Sequence, residues 1–255
     1  MEQFRSRLRS GEPLVGTWVS IGHPAVAEIA GSAGADFVTV DTEHAAVGIE
    51  TVESLVRAVE AAGDAVPVVR VPAADPVRIK RLLDVGVGGV MVPRVDSAAE
   101  ARSVVDASRY PPQGVRGTAA GRAAGYGRSF ADYLRTADES IARIVQIETA
   151  AAVEEASTVA AVDGVDALFV GPADLSAALD VHLDYDRERF RSAVRSVTDA
   201  AAAEGVPVGV FVTDPDRIDD WLSLGFSFGI VGYDAKFLIE GNDEMTAAMR
   251  SALEE

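Results

Sequence analysis

Short runs of apolar, mostly β-branched residues alternate along the chain with longer Ala-rich segments whose apolar residues recur at helical spacing. The short runs fall at residues 14–19, 36–41, 66–71, 89–92, 143–148, 167–171, 207–212 and 227–232. Continuous apolar runs of this kind mark strands buried on both faces, the condition of a parallel sheet covered by helices. The intervening segments predict helices at 25–32, 49–61, 76–83, 98–107, 150–159, 187–203, 215–224 and 235–253. Eight strand–helix units in regular succession predict an α/β protein, a (β/α)8 TIM barrel forming a single domain over residues 1–255.

Several boundaries have a chemical cause. Asp75 before Pro76 and Asp214 before Pro215 place a capping side chain ahead of a proline, whose missing N–H is no loss in a first helical turn. Glycines at 34, 63, 86, 205 and 225 follow predicted helices, where a left-handed residue ends the helix at little cost. Residues 110–133 break the rhythm. Their Tyr110-Pro111-Pro112-Gln113-Gly114 start and the Gly-, Ala- and Arg-rich run 117–128 predict a long loop at the catalytic or subunit face, or a simple flexible connection.

Composition narrows the chemistry. Cysteine is absent, so disulfides, thiolate nucleophiles and thiolate metal sites are excluded, and carboxylate and imidazole are left as metal ligands. Residues 1–13 lack the apolar stretch of a signal peptide, and no apolar run is long enough to cross a bilayer, which reads as a soluble cytoplasmic protein with no membrane partner. A net charge of −17 argues against nucleic acid. Only Lys80 and Lys236 supply lysine, and an acidic surface so poor in lysine suits a protein from a salty, halophilic setting; ordinary acidic composition is the plainer alternative.

In such a barrel the active site lies at the carboxyl ends of the strands, so the polar residues closing each run are the candidates. They are Trp18, Asp41 to His44, Arg70, Arg94, Gln146 with Glu148, Gly171 to Asp174, Phe211 and Tyr233. Glu148 and Asp174 end neighbouring strands, and two convergent carboxylates suit a hard divalent cation; the other reading has each capping the helix that follows. Arg70 interrupts an otherwise apolar run, so its guanidinium must face an anion, either a substrate oxygen or an interior acid such as Asp41. Of the three histidines, His23 and His182 lie in predicted loops and read as solvated or capping. His44 follows the second strand beside Asp41 and Glu43, where an imidazole is suited to proton transfer. The run Gly86-Val87-Gly88-Gly89 precedes a strand and lacks the context of a phosphate cradle, and Asp234 puts an acid where a barrel of this kind would bind phosphate.

Asp41-Thr42-Glu43-His44-Ala45, Pro67-Val68-Val69-Arg70, the run from Ile79 to Gly86, Arg109-Tyr110-Pro111-Pro112, Val145-Gln146-Ile147-Glu148 and Gly171-Pro172-Ala173-Asp174-Leu175-Ser176 occur in an order and spacing that resemble the HpcH/HpaI aldolase family, over nearly the whole chain. These are class II pyruvate aldolases acting on 4-hydroxy-2-oxo acids. The resemblance implies that Glu148 and Asp174 hold a divalent metal, Mg²⁺ or Mn²⁺ with Co²⁺ as a further candidate, that Arg70 faces the 2-oxo oxygen, and that His44 belongs to the proton-transfer system. Asp41 and Asp84 would orient or polarise that system. Trp18, Gln146, Gly171, Pro172 and Ala173 would line the pyruvate site, with Phe211 and Tyr233 near the substrate.

The same resemblance implies a homo-oligomer, a hexamer built as a trimer of dimers, with an exchanged C-terminal helix and sites that borrow residues from a neighbour. Thr42, Arg94 and Tyr233 depart from the usual pattern, which leaves the aldehyde open; Arg94 would hold the anionic end of an acidic aldehyde, or else pair with Asp96 or a neighbouring subunit. The implied reaction joins or cleaves a 2-oxo acid and an aldehyde through a metal-stabilised enolate. Schiff-base chemistry is disfavoured because both lysines fall on helices. The alternatives are a CoA-thioester lyase of the citrate lyase β or malyl-CoA lyase type, against which the lack of a basic phosphate patch counts, and a catalytically silent barrel used for binding or assembly.

Overall fold

The computed structural model describes residues 2–254. Eight strands, β1 (Val15–Val19), β2 (Phe37–Asp41), β3 (Val66–Arg70), β4 (Gly89–Val92), β5 (Ala142–Ile147), β6 (Ala167–Val170), β7 (Val208–Val212) and β8 (Phe228–Tyr233), pair in parallel and in sequence order to close a barrel. The last strand meets the first with a register shift between Gly16 and Trp18. Among the described residues, twelve α-helices surround it: α1 (Glu2–Arg9), α2 (Pro24–Ser32), α3 (Ile49–Ala62), α4 (Pro76–Val85), α5 (Ala98–Ser108), α6 (Phe130–Ser140), α7 (Ala150–Glu154), α8 (Ala156–Ala160), α9 (Pro172–Ala178), α10 (Glu188–Ala203), α11 (Ile218–Ser223) and α12 (Asp234–Glu254).

The predicted strands are all present, with ends shifted by one or two residues. The helices depart further from the sequence pattern. The stretch 150–159 is broken at Glu155 into α7 and α8, and 215–224 opens with a 3-10 turn, Pro215–Arg217, before α11. Helices α1, α6 and α9 were not predicted. Both aspartates cap as their sequence context implies: Asp75 accepts from the N–H of Arg78 at 2.9 Å, and Asp214 from that of Asp216 at 3.0 Å. Gly86 ends α4 with φ of 96° and returns its N–H to Leu83, as a left-handed cap should. Gly63 does not; with φ of 167° it is extended.

Successive strand residues point to opposite sides, and this splits the core in two. Val38, Val40, Val69, Val90, Val92, Val145, Leu168 and Val170 face outward and pack under the helices. Phe37, Val68, Met91, Ile144, Phe169 and Phe228 face the barrel axis. Phe37 and Phe228 stack edge to face at 6.3 Å, filling the lower barrel, and Phe4 of α1 closes it from below at 5.4 Å from Phe37. Arg5 and Arg9 of α1 reach Asp166, just ahead of β6, at 2.9 and 3.0 Å. A large apolar plug at the amino ends of the strands leaves the polar inward positions at the carboxyl ends, where they meet solvent.

The segment 110–133 is not a loop over the chain's own catalytic face. After a cis Pro111–Pro112 bond it forms a 3-10 turn, Arg122–Gly127, and runs into α6. Arg116 pairs with Asp84 and Arg122 donates to the carbonyl of Val85, so the segment is fixed against the last turn of α4. That turn lies beside the start of β4, at the end of the barrel away from the strand-end residues.

Candidate active site

The pleat selects the site. Asp41, Arg70, Gln146 and Phe211 are the last or nearly last inward residues of β2, β3, β5 and β7, and Trp18 and Tyr233 occupy the same level on β1 and β8. With Ser20, His44, Glu148, Phe169, Gly171, Pro172, Ala173 and Asp174 they enclose a cavity of about 330 Å³, of the size that takes a small ligand. A roomier cleft of about 540 Å³ lies between α3 and α4, around Asp75, Arg78 and Arg81. It holds none of the strand-end acids.

Two electrostatic halves face each other across the cavity. In one, Arg70 Nε and Nη2 donate to both oxygens of Asp41 at 2.9 and 2.8 Å, and Nη1 lies 3.0 Å from Glu43 Oε2. The guanidinium stacks 4.6 Å from the Trp18 ring. Burial on its own would raise the Asp41 carboxyl, but the hydrogen bonds and charge of Arg70, with the N–H groups of Glu43 and His44, outweigh it and hold the group below the ordinary carboxylate range. Glu43 shifts the other way, because burial outweighs the pull of Arg70 and His44. Arg70 thus has a structural pair with Asp41, as one of the two readings required. Three of its five N–H donors are engaged, and the others remain for a ligand.

In the other half, Glu148 is 4 % exposed and its oxygens receive only neutral donors: Gln146 Nε2 at 2.9 Å and the backbone N–H of Arg94 at 3.1 Å. Burial, then the charges of Asp174 and Glu43, push its carboxyl up to about 7. Gly171 makes room for it, since a Cβ there would lie 2.7 Å from Glu148 Oε1. Proline at the first position of α9 and Asp174 within its first turn fix the second carboxylate. No group of three or more His, Cys, Asp or Glu among the described residues forms a closed metal cage. Two carboxylates on an open site, with the Oε1 of Gln146 buried and unpartnered beside them, fit a hard divalent ion that completes its shell with water and substrate oxygens.

Two expected residues are elsewhere in the chain. Asp84 sits in the last turn of α4, paired with Arg116 at 2.9 Å. A helix that returns antiparallel to the strands carries its final turn to the opposite end of the barrel, so Asp84 does not line the cavity of its own chain. Arg94 contributes its N–H to Glu148, but its side chain is exposed and borders a separate hollow with Glu43, Pro72 and Glu100. Its φ of 53° is the left-handed turn that aims that N–H inward. His44 lines the cavity with its ring largely exposed, Nε2 being 3.8 Å from Glu43. His23 caps α2, and His182 pairs with Asp180 on the surface, as expected of loop histidines.

Ser20 and Phe169 were missed. Phe169 was legible as the inward residue two before Gly171. Ser20 lies two residues past Trp18, and only the length of the turn after β1 would have exposed it.

A closed parallel barrel whose strand ends gather acids, an arginine and a histidine around one small cavity defines a TIM-barrel enzyme. Residues 14–241 match the family described as HpcH/HpaI aldolase/citrate lyase, and the chain belongs to that family. It is 42 % identical over 240 residues to a hydroxypyruvate/pyruvate aldolase of Delftia acidovorans, covering 92 % of this chain and 87 % of that one. It is 37 % identical over 251 residues to a 4-hydroxy-2-oxovalerate aldolase of Novosphingobium aromaticivorans, covering 97 % and 91 %. The crystal structure of an HpcH/HpaI aldolase/citrate lyase family protein from Burkholderia cenocepacia superposes with a TM-score of 0.94 at 37 % identity, over 98 % of this chain and 100 % of that one.

Proposed function

We propose that the chain is a class II aldolase that cleaves or forms 4-hydroxy-2-oxo acids, giving or taking pyruvate or hydroxypyruvate and an aldehyde. The observation that carries this reading is Glu148: a buried acid beside a second acid, held by neutral donors, next to a cavity of small-molecule size. Such a group is costly unless a cation completes it. Glu148 and Asp174 would hold a divalent ion, Mg²⁺, Mn²⁺ or Co²⁺, which supplies Lewis acidity at the 2-oxo group when bound.

The chain's own residues do the rest. In cleavage the C4 hydroxyl gives up its proton to the His44 side of the cavity, the C3–C4 bond breaks, its electron pair becomes the C2–C3 double bond, and the C2–O π pair moves onto the 2-oxo oxygen. The aldehyde leaves as the C4 carbonyl forms. Arg70 directs its two uncommitted N–H donors to that oxygen as charge develops there, and Asp41 keeps the guanidinium from turning away. The aromatic side of the cavity, with Trp18 and Phe211 at 5.4 Å and Phe211 and Tyr233 at 6.3 Å, excludes water from the enolate. Return of a proton to C3 completes the product.

The reading extends to assembly. Helix α12 is about 30 Å long by its 21 residues, yet only Asp234 of it is buried. Phe237, Leu238, Ile239, Met245, Met249 and Leu253 are exposed along it, a stripe suited to exchange between copies of this chain in a homo-oligomer, in which Asp84 would serve a neighbour's cavity. No helix among the described residues is long and apolar enough to cross a membrane, and a cytoplasmic setting is part of the proposal. Incubating ion-loaded protein with a panel of 4-hydroxy-2-oxo acids while detecting pyruvate and hydroxypyruvate tests the reaction. Failure to release either from any of them would reject it.

A further inference from the structure

Ser20 stands at the cavity mouth one residue past β1, and its surroundings fix the direction of its hydroxyl. Its Oγ donates to Asp234 Oδ1 at 2.7 Å and its backbone N–H to Oδ2 at 2.9 Å. The N–H groups of Ile21 and Ala235 reach the same carboxylate at 2.7 and 2.8 Å. Asp234 is 8 % exposed and opens α12, so the acid that sequence places where some barrels bind phosphate instead clamps the turn after β1. Four donors on one carboxylate leave it no reason to release any of them.

A carboxylate oxygen accepts, so the proton in the Ser20–Asp234 bond belongs to Ser20. The hydroxyl therefore turns lone pairs, and no proton, toward the cavity. Among the described residues no donor reaches that oxygen. Of the other acceptors of the cavity, Glu148 and Asp174 are taken by the ion in the proposed reading, the Trp18 and Phe211 rings offer none, and the unpartnered Oε1 of Gln146 is buried beside Glu148 rather than at the mouth.

We propose that Ser20 is a specificity-determining residue that reads a hydroxyl on the substrate by accepting a hydrogen bond from it, with Asp234 as the positioning residue that sets its polarity. The hydroxyl belongs either to the 2-oxo acid, at C3, or to the aldehyde. The proposal rests on the aldolase reading for the class of ligand, and its test separates the two. A donor lost from this contact weakens discrimination by about 3- to 10-fold, the worth of one hydrogen bond.

The experiment uses Mg²⁺-loaded wild type, Ser20→Ala, Ser20→Thr and Asp234→Asn. Affinities for hydroxypyruvate, pyruvate and 3-fluoropyruvate are read without turnover from the ligand-induced change in tryptophan fluorescence, Trp18 being the tryptophan that lines the cavity, and kcat/KM is compared for glycolaldehyde and acetaldehyde. In wild type one of the two pairs should favour the hydroxylated member. That preference should fall about 3- to 10-fold in Ser20→Ala and in Asp234→Asn and persist in Ser20→Thr. A change in the 2-oxo acid pair places the hydroxyl on that substrate, where 3-fluoropyruvate, with no proton to give, should bind like pyruvate; a change in the aldehyde pair places it on the acceptor. Preferences unmoved in both pairs would overturn the assignment. Loss of the hydroxypyruvate preference in a protein that releases neither pyruvate nor hydroxypyruvate from any 4-hydroxy-2-oxo acid would sustain Ser20 and reject the reaction.

Discussion

Gln146 Nε2, on β5, donates across 2.9 Å to Oε1 of Glu148, the residue just past that strand; both are buried, and the Oε1 of Gln146 has no partner. The amide holds one oxygen of the acid still while the N–H of Arg94 holds the other. On the proposed reading, Gln146 would act on a bound cation through Glu148.

Replacing Gln146 with Leu keeps the volume and removes the donor. Mn²⁺ affinity, read by electron paramagnetic resonance of the free ion, should weaken by roughly 10- to 100-fold, the usual effect of losing a partner behind a ligand. Glu148→Gln should weaken it further. Unchanged affinity in Gln146→Leu would mean that the amide does not orient the acid.

The titration of Glu148 gives a signed test. Its carboxyl is raised from 4.5 to about 7, so between those values the folded chain binds more protons here than the unfolded chain does. The stability contributed by this group is full below about 4.5 and falls as pH rises through 7. In ion-free protein, the Tm of wild type relative to Glu148→Gln should decline across that window, and added Mg²⁺ should cancel the decline. A difference that stays flat would contradict a buried acid without a cation.

Arg70 and Asp41 are expected to fail in different ways. Asp41→Ala leaves a nearly buried guanidinium with Glu43 alone and should lower stability by about 3 kcal/mol, as measured by urea unfolding. Arg70→Met should lose C3 proton exchange on pyruvate by about 10²–10³, followed by NMR, because exchange needs only enolate formation. Exchange at the wild-type rate would remove Arg70 from the oxygen.

Barrel and site were legible to different depths. Strand ends could be read because alternation forces Asp41, Arg70 and Gln146 inward at the same level, and sequence carries that period directly. Helix α6 was hidden because Ala137 is its only buried residue, and α1 because its arginines obscure the pair Phe4 and Leu8. Asp84 was visible in its motif, yet its place depended on which way α4 runs. Arg94 shows the reverse case, where the backbone, not the charge, meets the site. What remains for its side chain is a contact outside the cavity, and Arg94→Met should leave the kcat/KM ratio between a charged and a neutral aldehyde of similar size unchanged.

Charge and the stripe on α12 bear on assembly. With a net charge of −17 per chain, packed copies repel over a screening length of roughly 10 Å at 0.1 M salt and about 3 Å at 1 M. Light scattering should find an oligomer in molar salt that loosens when salt is removed, and Phe237→Glu should weaken it further. A monomer at molar salt would contradict the proposed exchange of α12.

The most direct measurement is pyruvate release from a 4-hydroxy-2-oxo acid by protein stripped of metal and then reconstituted, alongside Glu148→Gln treated the same way. Wild type should be silent when stripped and active with Mg²⁺, Mn²⁺ or Co²⁺ restored, while Glu148→Gln should recover little at the same ion concentration. Full turnover in the stripped protein, or an undiminished rate in Glu148→Gln, would contradict the assignment of Glu148 and Asp174 as the acids that hold the ion.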